Sequence, residues 1–195
     1  MSQGNVETEI KLPIASPEDA NRRIGALAFR LKTPRAFESN VLYDTAGGAL
    51  RGSGCLLRLR ESGGSAILTY KGRGQAGKYK VREELETPLG AAHSASLILQ
   101  RLGYQPVFRY EKYRTEYTDG TGILTLDETP IGCYIELEGD PQWIDETAGK
   151  LGYHERDYIT KSYGALYRSH CLERQVPPTN MVFRDYPEAA ATNLP

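Results

Sequence analysis

The sequence predicts an α+β fold in which short antiparallel strands are joined by hairpins and flanked by helices. Segment after segment alternates charged with apolar residues, the period of a half-buried strand. Turn signals such as Ser62-Gly63-Gly64-Ser65 and Asp119-Gly120 separate neighbouring segments at hairpin spacing. Ser16-Pro17-Glu18-Asp19 has the form of a helix start, with a hydroxyl cap, a proline in the first turn and two acids beside it.

Residues 6–12 alternate and read as the first strand, ended by Pro13. A helix follows from the Ser16 cap to about Leu31, with Ile24, Leu27, Ala28 and Leu31 as its apolar stripe. Residues 37–45 read as a second strand, closed by the Gly47-Gly48 turn, and residues 55–61 and 66–71 as a hairpin. The segment 72–77 is rich in glycine but lacks the G-x-x-x-x-G-K-[ST] order that cradles a phosphate, so it reads as a strand connection. Residues 78–87 form a strand, 91–102 a helix closed by Gly103, and 107–118 a long strand. Residues 123–128 and 134–138 form two more strands, joined through Pro130-Ile131-Gly132. Helices are expected over about 141–151 and 157–171. Residues 1–175 thus read as one domain, and 176–195, with little periodicity, as a tail that is loose or laid along it.

A chain of 195 residues fits one domain. Lys plus Arg (24) nearly cancels Asp plus Glu (25), so no overall field recruits nucleic acid or a membrane surface. Cys55, Cys133 and Cys171 are odd in number and far apart, which points away from disulfides and thiolate metal sites and makes a reduced cytoplasm the expected compartment. His93, His154 and His170 are scattered without metal-ligand spacing. Neither a signal peptide nor an apolar run approaching the ~18 residues of a membrane span is expected. Trp143 and the tyrosines do not follow one basic face and read as packing groups.

Residue parity sorts each strand into two faces. Glu7, Glu9 and Lys11 share one face; so do Arg58 and Arg60, and so do Lys80, Arg82, Glu84 and Glu86. Lys71, Lys112 with Arg114, Asp127, and Glu136 with Glu138 likewise stand opposite apolar neighbours. A sheet with one face in water gives the same alternation. Two features favour a charged interior instead: like-charged neighbours such as Glu7 and Glu9 repel unless a cation sits between them, and acids and bases cluster as the two ends of a metal–triphosphate complex would require. If the charged faces curl inward, the sheet closes into a barrel whose apolar outside meets the helices.

In chain order, Glu7-Thr8-Glu9-Ile10-Lys11, Leu57-Arg58-Leu59-Arg60, Thr69-Tyr70-Lys71-Gly72, Arg82-Glu83-Glu84-Leu85-Glu86, Lys112-Tyr113-Arg114, Leu126-Asp127 and Gly132 followed by Glu136-Leu137-Glu138 resemble the motifs of the CYTH proteins, or triphosphate tunnel metalloenzymes. The first matches their E-x-E-x-K signature, and Lys161-Ser162-Tyr163 resembles their last helix; the likeness spans about residues 5–170. It implies an eight-stranded antiparallel tunnel barrel with flanking helices. It also implies metal-binding roles for Glu7, Glu9, Glu136 and Glu138, with Glu84 or Glu86 and Asp127 as further acidic wall positions, the ion being Mg²⁺ or Mn²⁺. Lys11, Arg58, Arg60, Lys71, Arg82, Lys112, Arg114 and Lys161 match phosphate-contacting bases, and Glu7, Glu9, Lys11, Arg58, Arg60 and Arg114 are the expected catalytic group. The implied partner is a small-molecule triphosphate, hydrolysed by a triphosphatase acting on inorganic triphosphate, thiamine triphosphate or a nucleotide. The alternatives are cyclisation of ATP by a class IV adenylyl cyclase and a non-catalytic binding module.

Overall fold

The computed structural model describes residues 5–186, Ala76 excepted. Eight antiparallel strands close into a barrel in the order β1-β5-β4-β3-β2-β6-β7-β8. They are β1 (Asn5–Ile14), β2 (Arg30–Thr45), β3 (Leu56–Ser62), β4 (Ser65–Lys71), β5 (Lys80–Leu89), β6 (Tyr104–Thr118), β7 (Ile123–Thr129) and β8 (Gly132–Glu138). Strand β1 closes the ring by pairing with β5 through Glu9↔Lys80 and with β8 through Glu9↔Glu138.

The helices are α1 (Pro17–Gly25), α2 (Ala49–Ser53), α3 (Ala92–Arg101), α4 (Pro141–Lys150) and α5 (Tyr163–Glu173). Ser16 caps α1 as expected, its hydroxyl accepting from the Asp19 amide with Pro17 in the first turn. Among the described residues, no helix is long and apolar enough to cross a membrane.

Several boundaries differ from the sequence expectation, β2 starting at Arg30 rather than Phe37 among them, and tertiary partners account for the main ones. Strand β1 runs through Pro13, which lies opposite Tyr134. Two residues earlier, Lys11 turns its backbone N–H and C=O away from β8 to Ile159, so by alternation the N–H that proline lacks also falls on the side away from β8. Helix α1 stops at Gly25 rather than near Leu31, because the chain joins β2 at Arg30↔Thr118 and leaves Leu31 exposed. Helix α5 begins at Tyr163, capped by Ser162, since Ile159 upstream is held against β1. The short α2 was not expected; Asp44 secures it by accepting from the Leu50 and Arg51 amides.

The main apolar core lies outside the barrel. Ile10, Leu12, Leu124, Leu126, Ile135 and Leu137 turn outward from β1, β7 and β8 and pack under Ala20 and Ile24 of α1 and Ile144 and Ala148 of α4. A second cluster seats Leu99 of α3 on Tyr43 and Leu59. A third joins Tyr163, Tyr167 and Cys171 of α5 to Tyr110 and Met181. The stretch after α5 lies along β6: Met181 exchanges backbone bonds with Arg109 and Glu111, and Met181, Val182 and Phe183 are buried. The end of the expected tail, 187–195, lies outside the described residues.

Candidate active site

With the apolar parity facing out, the charged parity faces in. The barrel encloses a cavity of about 220 Å³ lined by the basic residues Lys11, Arg58, Arg60, Lys71, Lys80, Arg82, Lys112 and Arg114 and the acids Glu7, Glu9, Glu84, Glu86, Glu116, Glu136 and Glu138. The strand register sets opposite charges across from one another: Glu7↔Arg82, Lys71↔Glu84, Lys11↔Glu136, Glu38↔Lys112 and Arg114↔Asp127.

Three linked groups result. In the first, the Lys71 ammonium lies 2.6 Å from Glu7 and 3.0 Å from Glu84, and Lys80 donates to Glu9. In the second, Lys11 lies 3.0 Å from Glu136, while Arg114 bonds Glu136 and reaches Asp127 at 2.7 Å through Nε. Asp127 is fully buried and also accepts from Lys112 at 2.8 Å and from the Tyr163 hydroxyl at 2.7 Å. The Tyr163 ring lies across this part of the cavity, 5.2 Å from the Lys11 ammonium and 5.3 Å from that of Lys112. In the third, Arg58 donates to Thr69 at 3.1 Å and Glu86 at 3.2 Å, and Arg60 donates to Asn40 at 3.0 Å.

The electrostatics follow. Burial alone would raise the Glu9 carboxyl, but Lys11 and Lys80 hold it well below the usual range. Glu136 is likewise held down, against burial, by Lys11, Arg114 and Lys112, and Glu38 falls to about 2 beside Lys112 and Arg114. Burial and the neighbouring Lys11 push Lys80 down to about 8. Two acids go the other way. Burial, reinforced by Glu7, raises Glu84 to about 7 in spite of Lys71, and desolvation followed by Glu7 raises Glu138 to about 7.

The expected residues come together with two exceptions. Lys161 is exposed just ahead of α5 and does not line the cavity, although its neighbours Ser162 and Tyr163 do. Asp127 sits behind the wall, with both oxygens taken by Lys112, Arg114 and Tyr163. Participants that sequence reasoning missed include Glu116, which lines the cavity, and four others. Lys80 was placed on a charged face without a role. Glu38 and Asn40 share a parity of β2 that alternates with Val41 and Tyr43, a signal present in the sequence; Tyr163 had none beyond its place after Lys161.

Glu7, Glu9, Glu136 and Glu138 offer the hard oxygen donors that Mg²⁺ or Mn²⁺ takes. Glu9 and Glu138 stand directly opposite on β1 and β8, a like-charged pair that a cation would relieve. The donor set fits such an ion, but among the described residues no three His, Cys, Asp or Glu side chains are already arranged around one point. The lysines hold the acids instead. On the basic side, the buried Nε groups of Arg58 and Arg82 and Nδ2 of Asn40 have no hydrogen-bond partner, which leaves donors for an anion.

The model of the CYTH domain matches residues 5–163. A Methanocaldococcus jannaschii protein named "putative adenylate cyclase" is 25% identical over 142 residues, which are 72% of this chain and 81% of that protein. Among solved structures, a Vibrio parahaemolyticus protein also called a "putative adenylate cyclase" superposes with a TM-score of 0.73 at 23% identity, covering 83% of this chain and 97% of that one. A Hippeastrum protein, described as a "putative adenylyl cyclase" that reveals a dominant triphosphatase activity, gives a TM-score of 0.62 at 23% identity, covering 85% of this chain and 95% of that one.

Proposed function

The chain belongs to the CYTH domain family, and from that premise we propose that it is a divalent-metal-dependent triphosphatase that binds its substrate inside the barrel. The observation that carries this is the inward array of Arg58, Arg60, Lys71, Arg82, Lys112 and Arg114 beside a row of carboxylates, with the buried Nε groups of Arg58 and Arg82 making no hydrogen bond. A polyanion with bound cations satisfies both sets at once.

Glu7, Glu9, Glu136 and Glu138 would hold the metal, which when bound neutralises phosphate oxygens and orients or activates a water. Arg58, Arg60 and Lys112 bind the phosphate chain, and Arg114, fixed by Asp127, stabilises charge developing on the transferred group. Phosphoryl transfer needs little beyond such positioning and charge stabilisation. Asp127 serves here as a positioning residue rather than a metal ligand, because its oxygens are committed. The cavity of about 220 Å³ is below the roughly 300–1,000 Å³ of sites for drug-sized ligands, which suits a bare polyphosphate chain.

One observation favours ATP cyclisation as the second reading. A further cavity of about 300 Å³, lined by Thr118, Gly120 and Gly122, adjoins the first through Glu7 and Glu138 and offers room for a nucleoside. Product analysis separates the two: inorganic triphosphate, thiamine triphosphate and ATP are supplied in turn with Mg²⁺, Mn²⁺ or chelator. Metal-dependent orthophosphate release supports the triphosphatase; cyclic AMP with pyrophosphate replaces it with the cyclase. Glu7→Gln with Glu9→Gln should lower turnover at least about a hundredfold, as loss of ligands to a metal that generates the nucleophile predicts, with the circular dichroism spectrum kept. Undiminished turnover in that variant would remove these acids from the site.

A further inference from the structure

Lys80 has no place in the phosphate-binding set described above, yet it is a charged side chain only 12% exposed, in a cavity already rich in bases. It is the first residue of β5, held opposite Glu9 by the β1–β5 ladder, and its ammonium donates to Glu9 Oε1. On the other flank of β1, Glu9 faces Glu138. Glu9 therefore stands between a carboxylate that invites a cation and ammoniums that already supply one: Lys80 in direct contact and Lys11 more loosely, at 3.5 Å and shared with Glu136.

We infer that Lys80 is a resident counter-cation of the metal site, which leaves Glu9 for a phosphate oxygen when metal and triphosphate bind and thereby makes the two bind cooperatively. The inference rests on the metal-site reading proposed above. One carboxylate cannot hold an ammonium and a divalent ion at full strength together, so a metal arriving alone must displace Lys80 into a cavity whose other carboxylates are already held by Lys71, Lys11, Arg58 and Arg114 or, like Glu138, claimed by the metal. With a triphosphate present, the displaced ammonium has phosphate oxygens to join, and four methylenes give it reach without moving β5. Lys71, shared between Glu7 and Glu84 at 2.6 and 3.0 Å, repeats the arrangement one step along the same wall. Each ligand breaks the ion pairs that oppose the other. The coupling is reciprocal, and couplings of this kind typically run about 5- to 150-fold.

The test titrates Mn²⁺ calorimetrically into the full chain, with and without a non-hydrolysable imidotriphosphate and corrected for the Mn²⁺ that the analogue binds in solution. For the wild type, the analogue should tighten Mn²⁺ binding about tenfold or more. Lys80→Met should bind Mn²⁺ alone more tightly than the wild type does and gain less from the analogue; Lys80→Gln, which keeps a polar group, provides the same comparison should the methionine variant fail to fold. Folded Lys80 variants with unchanged or weaker binding of Mn²⁺ alone would overturn the inference. Glu9→Gln separates the two levels. If it weakens Mn²⁺ binding while the Lys80 variants behave like wild type, only the counter-cation role fails; if it has no effect, the metal site at Glu9 fails with it.

Discussion

Asp127 shows how one side chain sets the geometry of several. It accepts from Lys112, Arg114 and Tyr163 while fully buried, so it fixes two of the bases that face the cavity and the ring that lies across it. Replacing a buried, multiply bonded carboxylate leaves its cationic partners uncompensated, which costs about 3–5 kcal/mol. Asp127→Asn should lose stability on that scale in urea unfolding, whereas Tyr163→Phe, which deletes one hydrogen bond, should lose about 1 kcal/mol plus any cost of the unmet acceptor. Equal losses would show that Asp127 does not organise the bases. Its inward parity was legible in the sequence, opposite Leu124 and Leu126. Its role was not, because parity gives a direction and says nothing about depth. Glu38 and Asn40 were legible in the same way and passed over, since their strand lacks a run of like charges to draw attention.

At the scale of elements, the strands were more legible than their ends. The hairpin from β3 to β4 follows directly from Gly63 and Gly64, which adopt φ of 55° and 80° and make a tight turn that other residues resist. The end of α1 depended on where β2 found β6, which no local pattern records. The stretch after α5 shows the same limit: its three buried apolar residues contact β6 and α5 without any repeating period. Met181, Val182 and Phe183 are each worth roughly 1.5–3 kcal/mol as an upper bound for full burial. Deleting residues 177–195 should therefore lower the melting temperature, by up to about 10–35 °C at roughly 2–4 °C per kcal/mol for a chain of this length. A shift under about 2 °C in differential scanning calorimetry would mean that this stretch does not brace α5.

Charge in the whole molecule is set by closure, and its stability should depend on pH accordingly. Glu9, Glu136 and Glu38 have lowered carboxyls, so their contribution is present above the ordinary 4.5 and is lost as pH falls below it, for Glu38 through about 2. Glu84 and Glu138 are raised from 4.5 to about 7, so between those values the folded chain holds protons that the unfolded chain has released. Stability should therefore fall as pH rises through that window and level off above it. Lys80, lowered from 10.5 to about 8, adds a rise across that higher interval. Urea unfolding across pH in chelator should show a maximum near the lower edge of the first window, and Glu84→Gln with Glu138→Gln should remove the decline. A flat profile there in the wild type would contradict the crowding of these carboxyls. That the charged faces line one cavity could not be read from alternation alone, which a flat sheet shares; the ring exists because β1 pairs with β8.

That last pairing also orders events in time. Glu9 meets Glu138 across almost the full span of the strands, so a chain emerging from the ribosome has seven strands of the barrel and no ring until β8 is made. Such long-range pairing belongs to folding on the millisecond-to-second scale. In the interval β1 and β7 present open edges, the usual templates for aggregation. The unfinished sheet meets water with its Glu, Lys and Arg face, and inward-pointing charge of this kind discourages edge-to-edge association. The residues that form the site are thus also the face that the sheet, before β8 closes it, turns to water.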